Sequence, residues 1–504
     1  MSSKLCAIIG IRGYNQGSSE LTFMRISGEN RFMAENIETM SPVDIAWLSM
    51  EEPTNQMMVN AVIVFDQPLE VERVRQVLEF RWMRYARFRR RVVKPSLPFR
   101  RPYWETDPHF NLDLHLQHLA LPAPGDQQAL EDMVSDLMSM PLDFSRPPWK
   151  FYVIENYGEG CAVMARIHHS LADGMALVAV LLSMADFQAD APLVPVENDD
   201  SVPENEFPGV LARRVSNTVD LFRRTADRAV QGAFSVLQDT EKVREIGEQG
   251  AGMGLAATRL LARSADPHTR LKGKLGVIKR AAWSRAIPLG DIKLVKNNLG
   301  GTVNDVLVTA VTGGLRRYLV GKGDDVADLE IRAAIPVNLR TEADNGKLGN
   351  KFGLVFLTLP IALEGPLMRL TEVRRRMEEL KRSAEAPVTL GILGMMGLGT
   401  DAFREFVVRI LEPKATIVLT NVAGPPIKLY LAGQQIREMM FWVPQAGRLG
   451  VGISILSYAG NVYLGIATDA DLVPDPKLII EGVYEELAQM KVIARAVQLG
   501  NEQR

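Results

Sequence analysis

The run His168-His169-Ser170-Leu171-Ala172-Asp173-Gly174 concentrates the chemistry legible in this chain. Two adjacent histidines and an Asp-Gly dipeptide stand between an apolar, strand-like stretch and an apolar, helix-like one. Imidazole titrates near neutrality, so a histidine at a strand end can take a proton from a hydroxyl or a thiol. The chain has only six histidines, and a lone one at such a place is more simply a satisfied structural residue. The second histidine and the fixed spacing to Asp-Gly shift the balance toward His169 as a general base. Alternation along Cys161, Val163, Ala165 and Ile167 carries through to His169 and puts His168 on the opposite face. His168 is then a packing or hydrogen-bonding neighbour. Asp173 is a turn residue whose carboxylate can pair with a distant arginine.

Other chemistries fit less well. Adjacent histidines diverge on a strand, unlike the i, i+4 pair that aims two metal ligands from one helical face. His109, His115, His118 and His268 supply no evident third ligand, so no metal is expected. A G-x-S-x-G nucleophile elbow is absent, and so is a G-x-x-x-x-G-K-[ST] phosphate loop.

Mixed elements must hold the histidines. Val59–Phe65 has the pattern of a strand and Glu70–Tyr85 that of a helix. Lys150–Glu155 and Cys161–Ile167 form a hairpin pattern around Asn-Tyr-Gly-Glu-Gly, followed by a helix over Met175–Phe187. Gln188–Pro208 has the composition of a linker. Gly209–Lys242 has the pattern of a long amphipathic helix, with arginines suited either to solvent or to an anionic membrane surface. A second mixed pattern starts near Leu275. Thr302–Leu319 is a helix capped by Thr302 with Asp305 three residues on. Glu330–Pro336, Gly353–Pro360, Thr416–Thr420, Gly450–Ser457 and Asn461–Thr468 are strands, the last two joined around Ala459-Gly460-Asn461.

At 504 residues the chain exceeds one ordinary core and should divide into two or three domains. A net charge of −2 gives no general case for nucleic-acid binding. The densest basic stretch, Arg81 to Arg101, could attract a phosphorylated cofactor or lipid headgroups, although basic faces are usually just solvated. Cys6 and Cys161 make no disulfide framework, in keeping with a reducing cytoplasm. No apolar run reaches the roughly 20 residues that span a bilayer, and the N-terminus has no convincing signal-peptide h-region or cleavage site.

These residues resemble the bacterial wax ester synthase/diacylglycerol acyltransferase family, whose HHxxxDG motif falls on His168, His169, Asp173 and Gly174. Further blocks match in the family's order: Pro102-Tyr103-Trp104, Pro141-Leu142-Asp143 with Arg146-Pro147-Pro148-Trp149, Thr302-Val303-Asn304-Asp305-Val306, Pro336-Val337-Asn338-Leu339-Arg340, Gly349-Asn350 and Thr420-Asn421-Val422-Ala423-Gly424-Pro425. HHxxxDG alone is shared with other CoA-dependent acyltransferases and with peptide-synthetase condensation domains; the ordered set is more specific. It runs from about Met40 to near the C-terminus, and the stretch before Met40 matches nothing in the family.

The resemblance implies an α/β fold of mixed sheets: two chloramphenicol-acetyltransferase-like domains, joined by a long helical linker, with an active-site tunnel at their interface. The expected division is an irregular extension over residues 1–39, a domain carrying HHxxxDG over 40–190, the linker over 191–272 and a second domain over 273–504. It also implies that His169 is the catalytic base, with His168, Asp173, Gly174, Asn304, Asp305, Asn338 and Arg340 in support. Asn304 would donate to an oxyanion or serve as a cap or domain contact, and Asp305 would stabilise its helix. Arg340 would pair with Asp173, and Asn338 would brace the same turn. The apolar Gly391–Gly399 stretch, with Met395 and Met396, would line an acyl pocket or pack in the core. Long-chain acyl-CoA would be a co-substrate with no permanently bound cofactor, and diacylglycerol or a long-chain fatty alcohol the acceptor. The protein would sit in the cytoplasm, peripherally attached to a membrane or lipid-inclusion surface, with no nucleic-acid partner. Two rivals stay open: an acyltransferase for another hydroxyl or amine, and a non-catalytic lipid-surface protein of the same fold.

Overall fold

A computed structural model describes residues 37–95, 100–193, 258–340, 348–445 and 447–502. Residues 1–36, most of the expected linker and the whole Gly209–Lys242 helix lie outside the described residues.

The first half forms β1 (Ile37–Thr39), α1 (Pro42–Ser49), β2 (Met58–Phe65), α2 (Val71–Val77), β3 (Arg90–Val93) and β4 (Tyr103–Thr106). It continues with β5 (Leu116–Ala120), α3 (Gln127–Ser139), β6 (Trp149–Tyr157), β7 (Gly160–His168) and α4 (Gly174–Met184). The second half opens with β8 (Lys279–Trp283), β9 (Ile287–Pro288), α5 (Leu289–Leu299), α6 (Val303–Gly321), β10 (Ile331–Asn338) and β11 (Phe352–Leu359). Helices α7 (Pro366–Lys381), α8 (Glu385–Leu398) and α9 (Asp401–Leu411) come next. The chain closes with β12 (Ile417–Ala423), β13 (Tyr430–Leu431), β14 (Gln434–Trp442), β15 (Val451–Tyr458), β16 (Asn461–Asp469) and α10 (Lys477–Glu502).

Two large mixed sheets result. One runs β13-β14-β2-β7-β6-β5, the other β11-β10-β12-β15-β16-β8 with β9 paired to β16. β7 is buried at every position, as a central strand covered on both faces must be. Its alternation is the one read from the sequence. Cys161, Val163, Ala165 and Ile167 pack in one cluster with Leu177 and Val180 of α4. Ala162 and Met164 face the other way, against Leu130 and Val134 of α3 and Trp283 of β8.

The second half also completes the first sheet: β14 pairs antiparallel with β2, Phe441 opposite Ala61 and Trp442 opposite Asn60. That pairing had no signal in the sequence, because a crossover between distant strands leaves no local periodicity.

The Glu70–Tyr85 helix is shorter than expected. Regular α-helix stops at Val77, and a single wider turn over Leu78–Trp82 follows. The turn lets Arg81 reach the Met184 carbonyl at 2.7 Å and the Asp186 carboxylate, and lets Trp82 stack on Phe88. Two buried anchors outweigh one unbroken helical register. The basic stretch is largely structural for the same reason. Arg87 and Arg90 are buried against Glu38, with Asp44 also beside Arg87, and Arg91 pairs with Glu105.

Helix α8 lies against α1 at a close approach. A Cβ on Gly397 would overlap the Pro42 carbonyl, so only glycine lets the two backbones meet there. Ala46, Leu393, Met396 and Val407 bury one another in that contact, each large side chain being worth about 1.5–3 kcal/mol when fully removed from water. The contact fixes α1, and α1 carries part of the site.

Candidate active site

β7 ends at His168, and the backbone then turns: the His169 amide donates to the Met57 carbonyl at 2.8 Å. The two rings diverge, as strand parity required. His168 Nδ1 lies 2.7 Å from the Ser170 hydroxyl and accepts from the Ser170 backbone amide at 3.2 Å. Those contacts leave the proton on Nε2, which faces the Glu51 carboxylate at 3.4 Å. Glu51 in turn accepts from the Met57 amide at 2.5 Å. His168 is thus a wholly buried brace for its own loop.

His169 has different company. Its ring stacks on Trp47, centroids 4.1 Å apart and planes 23° from parallel, with Phe352 tilted against it at 5.5 Å. It is 4% exposed, and its Nδ1 makes no hydrogen bond of acceptable geometry among the described residues. Burial pushes the imidazole down to about 4, against the charge of nearby Asp173 and aided by His168. The ring is therefore uncharged at neutral pH, the form a base needs.

Asp173 is where the two halves lock. Its Oδ1 accepts from the Ala176 amide at 2.9 Å, capping α4. Its Oδ2 takes Arg340 Nε at 2.9 Å and the Lys351 amide at 3.0 Å, both from the second half. The Asp173 amide donates to the Gly349 carbonyl at 3.1 Å. Asn338 Oδ1 accepts from the Arg340 amide at 3.0 Å and so sets the turn that delivers the guanidinium. Gly174 is the first residue of α4 and has open space around its Cα.

The structure joins further residues to this loop whose roles the sequence did not disclose. Asn350 Nδ2 donates to the His169 carbonyl at 2.9 Å and to Asp44 Oδ1 at 2.8 Å. Asp44 and Trp47 stand three apart on α1, whose Ser41 cap and Pro42 were the local signals available. Burial pushes the Asp44 carboxyl above its ordinary range, against the pull of Arg87 and of Asn350.

Asn304 and Asp305 lie in the first turn of α6. Thr302 and Asp305 form the reciprocal capping box of α6. Asn304, 4% exposed, accepts at Oδ1 from Asn421 Nδ2 at 3.0 Å, and its own Nδ2 has no partner among the described residues. A buried amide donor without an acceptor is costly, about 1–3 kcal/mol, and this one stands in the first turn of a helix. No hydrogen bond or ion pair among the described residues joins Asn304 or Asp305 to the histidine loop.

An apolar cavity is lined by Trp47 together with Leu354, Phe356, Leu393, Met396 and Leu411. Within the Gly391–Gly399 stretch the apolar side chains differ in their surroundings. Leu393 and Met396 both pack in the core and line the cavity, while Met395 and Leu398 are exposed. No helix among the described residues is long and apolar enough to cross a membrane, and none of their His, Cys, Asp and Glu side chains cluster as metal ligands.

The model of the wax ester synthase/diacylglycerol acyltransferase catalytic domain matches residues 40–307, and the model of the WS/DGAT C-terminal domain matches residues 348–491. A Mycobacterium tuberculosis protein named a probable diacylglycerol O-acyltransferase is 25% identical over 464 residues, covering 90% of this chain and 96% of the relative. Among solved structures, the wax ester synthase/diacylglycerol acyltransferase from Marinobacter aquaeolei VT8 aligns with a TM-score of 0.63 at 22% identity, over 90% of this chain and 99% of that one. The starter condensation domain of rhizomide synthetase, solved with C8-CoA, aligns at 0.55 and 11% identity, over 93% and 97%. Both structural likenesses concern the fold: a pair of acyltransferase-like mixed α/β sheets.

Proposed function

The chain belongs to the wax ester synthase/diacylglycerol acyltransferase family of acyl-CoA-dependent acyltransferases, and from that premise we propose that it moves a long-chain acyl group from acyl-CoA to the hydroxyl of diacylglycerol or a long-chain fatty alcohol. The reading rests above all on His169, a buried and uncharged imidazole where the two halves meet. In this mechanism the imidazole removes the hydroxyl proton as the oxygen attacks the thioester carbonyl. The carbonyl oxygen gains the negative charge, and the unpartnered Asn304 Nδ2 is the donor that offsets it. Collapse of the tetrahedral intermediate breaks the carbon–sulfur bond, and the departing CoA thiolate takes the proton back from the imidazolium. No acyl-enzyme forms. His168, Asp173, Gly174, Asn338 and Arg340 hold the loop, and Asp305 holds the Asn304 helix.

The apolar cavity beside Trp47 suits a hydrocarbon chain. Residues 40–190 and 273–504 act as two acyltransferase-like domains, and residues 191–272 join them. Both lipid substrates partition out of water, which puts the working enzyme at a membrane or lipid-inclusion surface in the cytoplasm. A panel combining one long-chain acyl-CoA with diacylglycerol, monoacylglycerol and alcohols of graded length tests the assignment. Ester formation with diacylglycerol or long alcohols is the expected result; transfer to none of them overturns it.

The state of His169 makes a pH prediction. The base is active when deprotonated, and its folded value is about 4 where the ordinary value is 6.5. Transfer controlled by this group stays flat as pH falls from neutrality through the ordinary histidine range, and drops only as pH passes through about 4. The kcat/KM profile checks this, and an acid limb centred near the ordinary histidine value overturns it. Stability shows the matching sign. Between the unfolded and folded values the unfolded chain binds a proton that the folded ring refuses, so lowering the pH through that window weakens the fold.

A further inference from the structure

Asn350 comes from the second half of the chain, yet its side chain ends on the first. The amide is 9% exposed, and its Nδ2 bridges the His169 carbonyl at 2.9 Å and Asp44 Oδ1 at 2.8 Å. The His169 carbonyl can only accept, so the orientation of the amide is settled by chemistry: the NH2 end faces it. Its backbone neighbours bind the same loop, Gly349 through the Asp173 amide and Lys351 through the Asp173 carboxylate. Asp44 belongs to α1, three residues before the Trp47 ring on which His169 stacks. One amide therefore grips the two things that set the His169 ring: the backbone that carries it and the helix that carries its platform.

We propose that Asn350 is a positioning residue for His169, aligning the imidazole only when the second half of the chain is docked on the first. The inference rests on the reading of His169 as the base. An alanine at 350 removes both hydrogen bonds, leaving the His169 carbonyl and the Asp44 carboxylate without that donor. A misplacement of about 1 Å at a reacting group can cost on the order of a hundredfold. The loss falls on kcat, because Asn350 need not touch either substrate.

An aspartate at 350 separates this role from mere packing. It nearly matches asparagine in size, but when ionised it offers only acceptors to two acceptors. The titratable and charged groups around it are the His169 imidazole itself, Asp44 on α1, Arg87 beside Asp44, Glu38 beyond Arg87, Asp173 in the loop and Arg340 from the second half. Two buried carboxyls sharing one place retain a proton to higher pH than either would alone. Once protonated, that carboxyl again has a hydrogen to give.

The test uses the full-length protein with palmitoyl-CoA and dispersed diacylglycerol, comparing wild type, Asn350→Ala and Asn350→Asp. For Asn350→Ala, kcat falls by about ten- to a hundredfold with KM within about twofold of wild type. Asn350→Asp behaves like the alanine variant at about pH 8 and recovers toward wild type by about pH 5, a range where wild type is flat. A readout independent of turnover accompanies it: in protein labelled with 15N-histidine, the His169 ring resonance, assigned with His169→Ala, shifts in Asn350→Ala while those of His109, His118 and His268 stay. Wild-type kcat in Asn350→Ala overturns the proposal, as does an Asn350→Asp variant that tracks alanine at every pH, or an unmoved His169 resonance. If wild type transfers no acyl group but the resonance shifts, the positioning role stands and the functional assignment is what fails.

Discussion

His169→Ala will lower acyl transfer by about 10²–10⁴-fold, the usual worth of a general base, while leaving the protein folded. The residue at stake is buried and contributes packing as well as chemistry, since its ring fills the space between Trp47 and Phe352. Thermal unfolding measured beside turnover separates the two effects. A modest loss of stability with a collapse in kcat is the expected pattern. Activity retained within about twofold would sink the assignment of the base, whatever the stability does. His168→Ala makes the useful contrast, because the contacts of His168 run to Ser170 and Glu51.

The second large effect falls on stability and activity together. Asp173 collects the Ala176 amide, the Arg340 guanidinium and the Lys351 amide on one buried carboxylate. Removing one member of a buried ion pair costs about 3–5 kcal/mol, because the surviving charge loses its partner without regaining water. Asp173→Ala should therefore shift the denaturant midpoint by an amount of that order and abolish transfer, since the second half loses its grip beside His169. A change below about 1 kcal/mol, the range of an exposed pair, would show that the halves are held elsewhere. Replacing Arg340 in the Asp173→Ala background should add little, as partners in one interaction do not add.

Much of this site is visible in the chain because its parts are local. The two histidines lie on one strand end, and strand parity alone gives them opposite directions. The Thr302–Asp305 capping box closes over three residues, so its spacing is enough to read it. The hairpin between β6 and β7 turns on neighbouring glycines. Trp47, Asp44 and the role of Asn350 stay hidden for the opposite reason. Their meaning comes from contacts across distant segments, such as the one from Asn350 to Asp44, which spans 306 residues. The basic stretch misleads in the same way. Its count of arginines is plain, but only the fold shows that Arg81, Arg87 and Arg90 are already neutralised by Asp186, Glu38 and Asp44.

The β14 strand sets a schedule for the ribosome. β2 emerges early, but the strand that covers its outer edge comes much later, and the contact from Asp66 to Arg437 beside that pairing spans 371 residues. At about 5–20 residues per second, the delay is roughly 20–70 s. Throughout it the nascent sheet presents Val62 and Val64 along an unpaired edge, a template for other nascent chains. Histidines, Asp-Gly and helix α4 are all synthesised within that interval, so the motif is complete long before the sheet that carries it. A gene cut between the two halves would leave that edge permanently open.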